Sequence, residues 1–162
     1  MATGTAHTER EPLSDSVSHL LEECRMVLPG IQALFGFQLI AVFNQVFWDR
    51  LEAPDRFCHF AATALVAFSI VLVMTPAAYH RQAEPETVSR NFVILSTRLL
   101  FWSMFPLMMA IIIEFYVISR LIFASVVTGA LFALLLGLAF VVFWFALPRR
   151  PELQRMIRKA RL

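Results

Sequence analysis

The sequence is short of the residues that most site chemistry uses. Only 16% of its 162 residues are charged and only five are glycine. Soluble domains carry about 25% charged residues, so the composition leans toward lipid. With so few glycines there is no Gly-rich phosphate loop. There are two cysteines, Cys24 and Cys58, and no CxxC or Cys/His metal spacing. They flank the first apolar segment and are expected on opposite sides of a membrane, which excludes a disulfide between them. No Ser/His/Asp arrangement stands out. His59 and His80 are 21 residues apart, about 31 Å along a helix, so they cannot share one iron. We expect no enzyme activity, cofactor or metal. What the chain does have is apolar bulk: 59% of it is hydrophobic, and sixteen residues are Phe.

Residues 1–12, MATGTAHTEREP, are small and polar and read as disordered. They hold no basic run followed by an apolar core, so insertion is expected to rely on the first membrane helix itself. Ser14 or Asp15 can cap a helix over 13–28. On it Val17, Leu20, Leu21, Cys24, Val27 and Leu28 form one face, opposite Ser18, Glu22 and Arg25. Such an amphipathic helix is expected to lie in the membrane interface. Pro29-Gly30 is expected to break or bend the path, and Pro29 can open a new helix. Apolar spans follow at 29–48, 58–79, 99–119 and 121–147, each near or above the ~20 residues that cross a bilayer. In the first span Gln38, Ala41 and Gln45 share a helical face. The expected fold is all-α: an integral-membrane four-helix bundle over 29–148, with an N-terminal interfacial helix and a basic C-terminal tail at 149–162. The halves show no internal repeat.

Basic residues set the expected orientation. Arg10, Arg25, Arg81, Arg90 and six residues of the tail make ten on one side, against Arg50, Arg56 and Arg120 on the other. The positive-inside bias puts both termini in the cytoplasm.

Glu114 is the most informative single residue, because a carboxylate inside a span is costly unless paired, hydrogen-bonded or protonated. Its candidate partners at that end are Gln45, Asn44, His59, Arg56 and Arg120. It is either a structural carboxyl that fixes helix packing or a proton or cation site. Ser125, Gly129, Ala133 and Gly137, each four residues from the next, form a small-xxx-small stripe on the fourth span. The stripe packs against a helix of this chain, or against a second copy or partner subunit. In the tail, Arg149, Arg150, Arg155, Arg158, Lys159 and Arg161 are expected on the anionic surface of the bilayer, and nucleic acid is not an expected partner.

Glu23, Arg25, Leu28, Pro29, Gly30 and Gln32 spell an acidic-x-Arg-x-x-Leu-Pro-Gly-x-Gln pattern, and TPAAYHR runs from Thr75 to Arg81. In these two motifs the chain resembles an uncharacterised family of small four-pass bacterial membrane proteins, a domain-of-unknown-function family. The resemblance implies a bacterial inner-membrane protein and brings no activity. With both termini inside, the motifs share one side, so Glu22 or Glu23 can pair with Arg81, and Gln32 can reach Tyr79 or His80. This polar cluster is either a lock on the interfacial helix or a small binding site. The function expected is a non-enzymatic scaffold or accessory subunit, as a homo-oligomer or in a larger membrane complex, packing laterally through the Ser125–Gly137 stripe. The alternative is a small oligomeric transporter or channel using Glu114.

Overall fold

The computed structural model describes residues 13–83 and 89–151. Among these residues five helices follow one another: α1 (Leu13–Ala41), the short α2 (Gln45–Arg50), α3 (Ala53–Ala83), α4 (Arg90–Phe123) and α5 (Val126–Phe140). One π-helical stretch (Val141–Ala146) and a 3₁₀ turn at Pro148 (Leu147–Arg149) complete the last span. Four helices are long and apolar enough to cross a membrane. The chain is a multi-pass, all-helical membrane bundle.

Its centre is the seam between α3 and α4, the most extensive contact in the molecule. The residues that α3 buries are Asp55, His59, Ala62, Val66, Ser69, Val73 and Pro76, in alternating steps of four and three. A 3.5-residue period keeps one stripe facing a supercoiled neighbour. From α4 come Phe92, Ser96, Ser103, Ala110 and Val117. Ala62, Ser69, Ser96 and Ala110 have no exposure at all, and small residues let helix backbones approach closely where lipid removes the usual hydrophobic drive. The Ser69 hydroxyl donates to the Ser103 carbonyl across the seam at 2.9 Å, in the turn of α4 that Pro106 loosens.

Helix α1 lies against α3 and, less extensively, α4. Its Ile31 joins the core of Ala62, Val66, Val73 and Ala110. Helix α5 leans on α4. A Cβ at Gly129 would meet Arg120 and Tyr116 at 3.3 Å, and one at Gly137 would meet Ile112 at 3.3 Å. Ala133 between them is buried. The small-residue stripe is therefore taken up inside the chain.

Several expected boundaries move. Helix α1 runs straight through Pro29, so there is no separate interfacial helix over 13–28 and no break at Pro29-Gly30. Proline removes one hydrogen bond, and membrane helices tolerate the loss. Leu13 is already helical, which puts Ser14 and Asp15 inside the helix rather than at its cap. The first span ends at Ala41, not at residue 48. There the amides of Phe43 and Asn44 turn back to the Ile40 and Ala41 carbonyls at 3.0 and 3.1 Å, and the Asn44 side chain caps α2 by accepting from the Val46 amide at 2.9 Å. Gln38 and Gln45 thus sit on different helices and share no face. Helix α4 begins at Arg90, capped by Ser89, so the polar approach before residue 99 is helical. It runs on to Phe123, and two residues suffice to reach α5: Ala124, left-handed at φ 50°, and Ser125, whose hydroxyl accepts from the Thr128 amide. The N-terminal twelve residues and the tail from 152 onward, with Arg155, Arg158, Lys159 and Arg161, lie outside the described residues.

The fit of α5 on α4 gives a direct test. Gly129→Leu should destabilise the purified protein by about 1–3 kcal/mol, the range for overpacking, and lower its melting temperature in mild detergent. Ala130→Leu, on the exposed side of the same helix, should leave it unchanged; equal effects would mean that α5 does not rest on α4 by this face.

Candidate functional site

Three helices each bring one polar side chain to the same place, near the end of the bundle that holds α2. Gln38 comes from the last turn of α1, His59 from the second turn of α3, and Glu114 from α4, nine residues before its end. Gln38 and His59 are each 3% exposed. The Glu114 side chain is 17% exposed.

Geometry places one proton on the imidazole. His59 Nε2 is 3.0 Å from the backbone carbonyl of Gln38, and a carbonyl only accepts, so Nε2 carries hydrogen. The other ring nitrogen, Nδ1, faces both oxygens of Glu114 at 3.0 and 3.1 Å. One proton lies in that contact. On the imidazole it makes an ion pair; on the carboxyl it makes a neutral pair. In both forms the two side chains together carry no net charge. The Gln38 amide also donates to Glu114 Oε2 in a long contact of 3.4 Å, which leaves Gln38 Oε1 buried without a partner.

The local sequence explains the arrangement. The last carbonyls of a helix have no amide to bond, and within a bilayer water cannot serve them. His59 serves one of them. Phe47, buried in α2, stands edge-on to the imidazole with ring centres 5.0 Å apart. Trp48 donates from its indole to the Val42 carbonyl at 2.9 Å and lies 5.4 Å beneath the Arg56 guanidinium. The helix-ending turn and α2 thus close over the imidazole.

One turn outward from His59, Arg120 of α4 bonds to Asp55 of α3 and, at 2.9 Å, to Glu52. Asp55 is 5% exposed, whereas the Glu52 side chain is 71% exposed. Beside the Gln38–His59–Glu114 cluster is a cavity of about 380 Å³, floored by these three residues and walled by Leu34, Phe37, Val117 and Ile118 among others.

Of the partners expected for Glu114, the structure brings only His59 to it. Asn44 lines the same cavity but its side chain is used in capping α2. Gln45 is exposed in α2, Arg56 lies on Trp48, and Arg120 is held by Asp55 and Glu52. Gln38 was not among the expected partners, although an amide in an apolar run was a visible signal. Asp55 was missed as well; its place in the four-three register of α3 was the signal.

The polar cluster expected at the opposite end is not one site. Glu23 lines a groove between α1 and α4 with Trp144. Arg25 lines a different one, against α3. Tyr79 and His80 instead pack on Phe92, with ring centres 6.1 and 5.3 Å away, and Gln32 and Arg81 are exposed. Arg149 and Arg150 are exposed at the end of the last span.

Removing the carboxyl in Glu114→Ala should cost roughly 3–5 kcal/mol, as for one partner of a buried pair. Glu114→Gln should be mild, since the new amide can donate to Nδ1 while Nε2 keeps its hydrogen. Melting curves of the two variants in detergent check this, and equal values would refute it. At the outer pair, Asp55→Ala should lower the melting temperature clearly, while Glu52→Ala, which loses an exposed partner, should change stability by less than about 1 kcal/mol.

No curated protein and no solved structure matches the chain. A family does: residues 6–148 match the family of unknown function DUF6328. The match covers most of the sequence and all four spans, and the chain belongs to that family.

Proposed function

We propose that the chain is a non-enzymatic scaffold or accessory subunit of the bacterial inner membrane, associating side by side with a second copy or a larger membrane complex. The observation that carries this reading is the use made of Glu114. Its carboxyl group is bound to His59, which also holds the end of α1, so the polar cluster ties three spans together. Behind it, toward the other end of the bundle, Ile31, Ala62, Val66, Val73 and Ala110 form an apolar core, and the Ser69 hydroxyl buried there is spent on the Ser103 carbonyl. A conduit needs polar groups or water along its length, and this packing supports a tie rather than a path.

Because α4 covers the small-residue stripe, the surface of α5 left for a neighbour is the opposite one. Val127, Leu131, Leu134 and Leu138 recur there in steps of four, three and four, each more than half exposed, a spacing suited to a second helix. The ten-to-three bias of basic residues supports both termini in the cytoplasm, with the tail on anionic lipid. The second reading is a small transporter or channel using Glu114 as a proton or cation site. It is favoured by the rarity of ionisable residues in spans.

Native mass spectrometry of the full chain in mild detergent should find a homo-oligomer or a complex with another membrane protein. Proteoliposomes should pass protons no faster than protein-free vesicles. A monomer alone would defeat the scaffold, and a proton flux abolished by Glu114→Gln would establish the transporter.

A further inference from the structure

The cavity beside Glu114 has walls, a floor and an opening of different chemistry. Its walls are aliphatic and aromatic. Its floor is rich in hydrogen-bond acceptors whose donors are already committed. Both imidazole nitrogens of His59 are engaged, and the Gln38 amide hydrogens turn toward Glu114. A carboxylate has about four lone-pair sites; contacts with one imidazole nitrogen and one distant amide leave some of these open. Phe37 and Ile118, which line the cavity, are also 73% and 44% exposed on the outside of the bundle. The opening therefore lies between α1 and α4 and faces the surrounding acyl chains.

We propose that this cavity binds a neutral lipophile with one hydroxyl group, of the alkylphenol or long-chain alcohol class, the hydroxyl donating to the Glu114 carboxyl. Three features select that class. The carboxyl of Glu114 only accepts from the cavity, so an ether or ester of the same shape, which cannot donate, forms no bond to it. The His59–Glu114 pair has no net charge, so an ammonium headgroup would bring an unmatched charge between apolar walls. A volume of about 380 Å³ is at the small end of ligand pockets, which fits one compact headgroup with a single chain trailing into lipid. The tie among the three helices holds the acceptor in position before the ligand arrives, so binding requires no reordering of it. This site is independent of lateral association: a monomer would contain it too.

The test uses the full chain in phosphatidylcholine nanodiscs and a 4-alkylphenol bearing a diazirine in its chain. Irradiation followed by peptide mapping should place the label on 34–41 and 117–121. Unmodified alkylphenol should compete at least tenfold better than its methyl ether or an alkylammonium of equal length. Ile118→Trp, which fills the opening, should abolish the site-specific label while the protein keeps its melting temperature. Should that variant not fold, Val46→Trp on α2, at another wall of the cavity, serves the same purpose. Equal competition by the ether or the ammonium would overturn the proposal. Labelling spread evenly over the lipid-facing residues, or unchanged by the filled opening, would overturn it as well.

Discussion

The imidazole of His59 is what the attachment of α1 depends on. Helices α3 and α4 meet along a full-length seam of small residues and hold each other by close contact. Helix α1 has much less: among its described side chains only Leu20, Ile31 and Gln38 are buried. In water an apolar face would be driven onto the bundle, but lipid is as apolar as leucine and supplies no such drive. A polar bond that lipid cannot replace is then the stronger fastening. The imidazole bridges a carbonyl at the end of α1 and a carboxyl on α4, and it is itself part of α3. Remove the proton and a lone pair faces a carboxylate; remove the ring and two helices lose their common partner.

A second fastening sits one turn further out and joins the other elements. Arg120 binds Asp55 of α3 through its guanidinium, while its own Cβ and amide nitrogen face the surface of α5 that has no side chain, at Gly129. One residue of α4 thus meets both neighbours, one through charge and one through the lack of a Cβ. The short link of Ala124 and Ser125 follows from that closeness. With the helices nearly touching, no longer loop is needed, and Ala124 accepts a left-handed backbone at some cost to itself.

Much of this was legible in the sequence. Four spans follow from the charge-poor runs, and Glu114 drew attention because an acid among isoleucines needs a partner. His59 could be named as that partner because topology put both residues at one end. Other features were misread because the rules applied were those of water. Pro29 ends helices where freed carbonyls can be hydrated, and in α1 it does not. Gln45 was placed on a face with Gln38 because no charge, proline or glycine separates them; the stop comes from Asn44, whose capping bond competes with the helix. The stripe on α5 was visible, but its partner was not, since a row of small residues fits a helix of the same chain as well as a neighbour's. Asp55 is the outermost member of the buried row on α3. The register of α3 pointed to that place, but the partner that makes the burial tolerable, Arg120, comes 65 residues later.

The order of these residues along the chain has a consequence for how the protein is made. Gln38, His59 and Glu114 emerge from synthesis in that sequence, each on a later span. Until α4 arrives, His59 has the carbonyl of α1 and no carboxyl, and Asp55 has no guanidinium. The bundle's two polar fastenings are therefore completed together by the same helix, and α5 adds nothing to the inner one. Biogenesis has one decisive moment, the entry of α4, before which α1 and α3 share the His59 bond and apolar contact alone.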